Sequence, residues 1–240
     1  MVSADKVSNR ALAVALVGAG AVGLALLLGR PSFAEPAVAL PSPVTNEAAN
    51  AAVEKAVLAG GCFWGVQAVF QHVKGVQEAI SGYAGGKKET ATYPQVSSGY
   101  TGHAESVEVT FDPRVVSYGT ILQIYFSVAH NPTELNYQGP DQGTQYRSEI
   151  FYESDAQKRV AEGYIKQLDA AKSFGEPIVT KIEALSGFYP AEAHHQNYAT
   201  LNPDSAYIAY NDAPKVVNLS RLFPQVYQAK PKLVAVAGVN

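Results

Sequence analysis

A two-layer α+β sandwich, built on a ferredoxin-like split β-α-β core with an irregular C-terminal extension, is the fold that the 240-residue sequence predicts. Three observations lead to it. Short apolar runs alternate with segments of helical period, one run alternates strictly between two faces, and the connecting loops are long relative to the strands.

Ala56-Val57-Leu58-Ala59 is an apolar run ended by Gly60 and Gly61, and Phe63, Val66, Val69, Phe70 and Val73 then follow helical spacing. A strand, a tight turn and a helix are expected in that order. Gln77 to Tyr83 reads as a second strand, and the glycine-rich stretch from Gly85 to Gly102 as a long loop of the kind that often carries function. Next, Val107, Val109 and Phe111 share one face of a strand while Ser106, Glu108 and Thr110 share the other, which puts Glu105 on the apolar side. Ser117 caps a helix bearing Ile121, Leu122, Tyr125 and Val128 that ends before Pro132. A strand from Arg147 to Glu153 leads into a capping box, Ser154 with Gln157, and a helix whose inner face is Val160, Tyr164 and Leu168. A last strand is expected around Ile178 to Leu185. From about Asn202 the chain has no regular period and is expected to wrap the domain.

The first 34 residues are of another kind. Lys6 and Arg10 precede an apolar run from Ala11 to Leu28, and Ser32-Phe33-Ala34 or Ala37-Val38-Ala39 offers a small-x-small cleavage site. Residues 1–34 therefore read as a signal peptide, or, if uncleaved, as an N-terminal anchor spanning a membrane with residues 11–29. No twin-arginine pair is present, so export of an unfolded chain is expected, to a bacterial periplasm or the extracellular space. Residues 35–54, rich in Ala and Pro, read as a flexible tether, 55–228 as the folded domain and 229–240 as a tail.

Asp5, Lys6, Arg10 and Arg30 together carry +2, so without residues 1–34 the formal charge of −3 becomes −5. Neither value favours nucleic acid or an anionic membrane surface. Cys62 is the sole cysteine and Met1 the sole methionine. A lone thiol forms no internal disulfide, so if it is oxidised in its work another molecule must reduce it again.

Cys62 lies between the first strand and its helix, where free amide N–H groups favour an anion, and the expectation is a lowered thiol pKa and an attacking thiolate. Its alternative is an inert buried cysteine. Glu105, on a core-facing position, is expected to stay protonated near neutrality through desolvation, or else to pair with a cation. A thiolate beside a neutral acid fits attack by sulfur with protonation of a poorly basic leaving oxygen. Tyr93, Tyr146 and Asp141 lie in loop segments and have the donors and acceptor to hold a small polar oxygen; each also reads as a surface or packing residue. Phe63 and Trp64 can form an apolar wall for a methyl-thioether, or ordinary core. Glu192, His194 and His195 have metal-ligand chemistry but no second cluster, so no metal is expected. His130 is expected to meet helix-terminal carbonyls. Gly85-Gly86 lacks the ending of a phosphate loop.

These blocks resemble the A-type peptide methionine sulfoxide reductases, from about Val57 to Tyr227. The resemblance is carried by Gly61-Cys62-Phe63-Trp64-Gly65, Tyr93-Pro94-Gln95-Val96, Gly99-Tyr100-Thr101-Gly102-His103-Ala104-Glu105, Gly139-Pro140-Asp141, Gly143-Thr144-Gln145-Tyr146-Arg147-Ser148, and Phe188-Tyr189-Pro190-Ala191-Glu192 with His195-Gln196. It implies that Cys62 attacks the sulfur of a methionine S-sulfoxide, free or in a peptide, and that Glu105 protonates the oxygen. It further implies that Tyr93 and Tyr146 hold that oxygen, that Asp141 orders the site through water, and that Phe63 and Trp64 receive the ε-methyl group. The product on the protein would be a Cys62 sulfenic acid. No metal or organic cofactor is implied, and the partners are oxidised proteins and an external thiol, thioredoxin-like, glutaredoxin with glutathione, or another; a monomer is expected.

Many family members place a resolving cysteine after Asn-Pro-x-Gly-Tyr. Here Asn202-Pro203 is followed by Asp204-Ser205-Ala206, and Tyr207 stands in that place. With Asp212-Ala213-Pro214-Lys215 and Phe223-Pro224, this end is similar to the one-cysteine branch. Asn131 replaces a frequent aspartate, and Ala193-His194 a common acidic-aromatic pair. Competing readings are a thiol peroxidase, against which Phe63-Trp64 and Glu105 argue, and an exported domain that binds oxidised peptides.

Overall fold

The structure is a computed structural model and describes residues 36–48 and 51–235. The expected signal peptide or anchor of residues 1–34 lies outside the described residues. Among those described, no helix is long and apolar enough to cross a membrane.

In chain order the elements are β1 (Glu54–Gly60), α1 (Phe63–Gln71), β2 (Val76–Ala84), α2 (Tyr93–Val96), β3 (Ala104–Phe111), α3 (Tyr118–Ile124) extended by a π turn over Tyr125–Ala129, β4 (Tyr137–Gln138), β5 (Asp141–Gln142), β6 (Ser148–Tyr152), α4 (Asp155–Ala170), β7 (Lys181–Ala184), β8 (Phe188–Pro190), α5 (Tyr198–Leu201), a π turn over Ile208–Asp212, and α6 (Ala213–Leu222). The main sheet runs β7-β6-β1-β3-β2-β8. Because β3 lies antiparallel between β1 and β2, α1 crosses over a strand inserted later, which is the split β-α-β arrangement. Helix α4 returns β6 to the parallel strand β7.

Strand alternation fixes which residues meet. Leu58, Tyr83, Val107, Val109, Phe111 and Ile150 form the face covered by α1, α3 and α4, and the inward residues of those helices are the ones their spacing predicts. The opposite face carries a small cluster of Val57, Ala59, Ala84, Ala104 and Phe151. Ser117 Oγ accepts the Thr120 N–H, and Ser154 Oγ accepts that of Gln157, so both predicted caps form. Gln157 Oε1 returns to the Glu153 N–H rather than to that of Ser154.

Two expectations of irregular chain are corrected. Residues 36–48, within the expected tether, are docked along α3 and α4. Leu40 joins the core with 7% exposure, the Gln123 amide donates to its carbonyl at 2.7 Å, and the Tyr164 hydroxyl donates to the Pro41 carbonyl at 2.7 Å. Gln167 accepts the Val44 N–H and donates to the Ser42 carbonyl, while Asn46 Oδ1 accepts the Gly119 N–H at the start of α3. Side-chain amides thus satisfy a backbone that has no ladder of its own. The C-terminal part also departs from expectation, since it contains the helix α6, whose buried residues are Lys215 and Leu219. After α6 the chain does wrap the domain, and Gln228 and Lys232 donate to the carbonyls of His72 and Gln71.

Candidate active site

The turn between β1 and α1 sets the position of the sulfur. Gly61 has φ +84°, and a Cβ there would come within 2.6 Å of Gln138 Cβ, so glycine alone fits the bend. Gln138 is itself fixed by a pair of hydrogen bonds with the Asn131 backbone. Cys62 is the N-cap of α1, with φ −54° and ψ 121°, and is 9% exposed.

Its thiol departs from the sequence expectation. Burial pushes the pKa well above the ordinary value, Asp212 pushes it further, as does Glu105 once it ionises, and the Trp64 amide only partly opposes them. The helix start does act as predicted, but one amide does not outweigh desolvation beside several carboxyl groups. The resting group is therefore a thiol.

Glu105 stands on β3 opposite Tyr83 and is 2% exposed. Its Oε2 accepts the Phe63 N–H at 3.1 Å, so it shares the α1 N-terminus with Cys62. Burial raises its pKa from 4.5 to about 8, with the Phe63 amide opposing and Asp141 and Asp212 assisting. At pH 7 it is a proton donor.

Three further predicted residues come to the same place from two loops, Tyr93 from one and Asp141 with Tyr146 from the other. Tyr93 opens α2, and its N–H donates at 2.8 Å to Glu192, which also accepts the Tyr83 hydroxyl at 2.8 Å. Glu192 thus ties β2 to the start of α2. Tyr146 ends a single 3-10 turn after β5, and burial holds its phenol protonated with Glu105, Asp141 and Cys62 acting in the same direction. Asp141, on β5, accepts a short hydrogen bond from the Tyr207 hydroxyl; burial raises its pKa while that bond opposes the rise.

An aromatic wall completes the surroundings. Phe63 lies in the core cluster and also faces His195 and Tyr83, with ring centroids 5.2 and 6.0 Å away. Half-buried Trp64 stacks on Tyr198 at 3.8 Å and meets the edge of Tyr207 at 5.8 Å. His195, whose ring lies 4.4 Å from Tyr93, is kept neutral by burial, with its pKa lowered to about 4. His130 accepts its expected place near a helix-terminal carbonyl, that of Tyr125, and also meets Ser148 at 2.7 Å.

Sequence reasoning missed the parts played by Tyr207, Asp212 and Lys215. Asp212 is fully buried, 3.3 Å from the Lys215 ammonium, and a Cβ on Gly65 would overlap its Oδ1. The signal was available in the three-residue spacing of Asp212 and Lys215, which puts opposite charges on one helix face.

A family model described as peptide methionine sulfoxide reductase matches residues 54–226. The chain belongs to that family. A peptide methionine sulfoxide reductase MsrA 2 of Mesorhizobium japonicum is 62% identical over 189 residues, which cover 79% of this chain and 97% of the relative. One from Synechocystis, also MsrA 2, is 45% identical and covers 88% of this chain and 99% of its own length. Among solved structures, reduced Mxr1 from Saccharomyces cerevisiae superposes with a TM-score of 0.60 at 32% identity, over 70% of this chain and 96% of Mxr1. Methionine sulfoxide reductase A of Corynebacterium diphtheriae gives a TM-score of 0.55 at 32% identity, over 71% of this chain and 87% of that one. The protein is accordingly an oxidoreductase of the MsrA type, which reduces methionine sulfoxide and serves protein repair.

Proposed function

We propose that Cys62 performs the sulfur chemistry, attacking the sulfur of a methionine S-sulfoxide while Glu105 protonates the departing oxygen. The observation that carries this is the hydrogen bond from the Phe63 N–H to Glu105, which sets a neutral carboxylic acid at the same helix end as the only thiol. The Tyr93 and Tyr146 phenols are held protonated and supply hydrogen-bond donors to the oxygen. Asp141 orders the site through water, and Phe63 with Trp64 receives the methyl group. Methionine leaves, and Cys62 becomes a sulfenic acid.

With one cysteine in the chain, recovery requires an outside thiol. A first equivalent forms a mixed disulfide with loss of water, and a second releases the Cys62 thiol. A thioredoxin-like protein, glutaredoxin with glutathione, or another small thiol serves this step, without metal or organic cofactor. The charged start and apolar run of residues 1–34 support a reading in which the protein works outside the cytoplasm, as a monomer acting on oxidised exported proteins. Assay of both sulfoxide epimers with dithiothreitol tests the reading: reduction of the S form is expected, and undiminished activity in Cys62→Ser would sink it.

A further inference from the structure

The steps above leave one buried carboxylate beside the sulfur without a task. Asp212 ends the second π turn, and Lys215 occupies its Oδ1. Its Oδ2 has no hydrogen-bond partner among the described residues. A buried carboxylate oxygen without a donor is costly, so its retention calls for a reason. Gly65 admits this side chain against the first turn of α1, because a Cβ at that position would overlap Oδ1. Gly65 stands three residues after Cys62 in the first turn of α1, so Asp212 lies over the helix end that carries the thiol, and its charge acts on the sulfur.

The other candidates for a proton acceptor near the thiol are engaged or weaker. Asp141 Oδ2 holds the Tyr207 hydroxyl, Glu105 is itself the acid, and both ring nitrogens of His130 have partners. Both nitrogens of His195 lack partners, but its ring lies against Phe63 and Tyr93, and burial lowers its pKa to about 4. The charged and titratable groups acting on Asp212 are Lys215 from α6 and Asp141 from β5, while Asp212 in turn acts on Cys62, Glu105 and Tyr207. Of the charges felt by the thiol, that of Asp212 is the largest, ahead of Glu105. An anion there resists an isolated thiolate. If it takes the thiol's own proton, that resistance vanishes in the same step.

We propose that Asp212 is the proton acceptor for Cys62, taking the thiol hydrogen on Oδ2 as the sulfur attacks, while Lys215 holds the carboxylate in place. The proposal rests on Cys62 being the attacking sulfur. Attack moves the Cys62 proton to Asp212 and the Glu105 proton to the sulfoxide oxygen, giving methionine and the sulfenic acid. The incoming external thiol then gives its proton to the Glu105 carboxylate, while Asp212 protonates the departing hydroxide to water. The mixed disulfide is left with both carboxyl groups restored.

Two rates measured on one variant separate this role from its rivals. Iodoacetamide alkylation of resting Cys62 reads thiolate content, and methionine formed in a single turnover without reductant reads the coupled step. In Asp212→Asn, alkylation at pH 7.5 should rise about threefold or more because an opposing charge is gone, while methionine formation should fall about a hundredfold. Both rates rising would leave Asp212 a mere electrostatic brake, both falling would make it structural, and methionine formation within about threefold of wild type would show no acceptor role. Any of these overturns the proposal. Should the lone Lys215 charge prevent folding, Asp212→Asn with Lys215→Met carries the same readouts. Wild-type turnover in Cys62→Ser would instead remove the sulfur reading beneath it.

Discussion

Glu105 accepts the Phe63 amide hydrogen at 3.1 Å, one residue beyond Cys62. The contact ties an acid from the middle of the sheet to the first turn of α1, so that the proposed donor and nucleophile keep a fixed relation. It also explains why the acid is tolerated: a buried carboxyl that stays neutral avoids most of the cost of a buried charge.

Replacing Glu105 by Gln preserves the size and an acceptor for Phe63 but removes the proton. A general acid contributes about a hundred- to ten-thousand-fold, so single-turnover methionine formation should fall by about that range. Alkylation of Cys62 should be no slower than in wild type. Comparing the two rates on one preparation checks this.

The same variant should be more stable than wild type near neutrality. The folded-state pKa of Glu105, about 8, lies above its ordinary value of 4.5. Its contribution to stability is therefore fully present below the unfolded value and is lost as pH rises through the folded one. Glu105→Gln should gain about 1–3 kcal/mol at pH 8, and the gain should vanish below about pH 4.5. Urea unfolding at several pH values measures it.

Tyr207→Phe keeps the ring against Trp64 and removes only the hydroxyl bonded to Asp141. A hydrogen bond to a charged group contributes about 1.5–3 kcal/mol, and part of it should appear in the site's order. A kcat/KM about tenfold lower, with a thermal midpoint lower by about 3–12 °C, is expected from steady-state assays and thermal melts.

Leu40→Ala should destabilise the domain by about 2 kcal/mol, the low end for a buried leucine because the segment can collapse around the gap. A chain starting at residue 54 should melt below one starting at residue 36. Thermal unfolding of the three proteins checks both statements.

The region around Cys62 and Glu105 was readable from sequence because local pattern governs it: two glycines stop a strand, a helical period follows, and strict alternation turns Glu105 inward. Residues 36–48 were not readable, since Leu40 is a single core residue among Ala and Pro and the rest is held by distant amide side chains. Helix α6 escaped for a similar reason, having few buried residues and one of them a lysine. The direction of the thiol's shift depends first on burial by segments distant in sequence and then on Asp212, Glu105 and Asp141 converging from separate parts of the chain, and no local pattern records that.

In the proposed mechanism Cys62 is the one sulfur of the protein that takes part in the first half of the reaction. Mix the protein without reductant with one equivalent of a methionine S-sulfoxide peptide, quench, and read both molecules by mass spectrometry with a sulfenic-acid trap. One methionine per protein, with the trap on Cys62, is the predicted result. Methionine formed with Cys62 unmodified, or a trapped Cys62 without methionine, would contradict it.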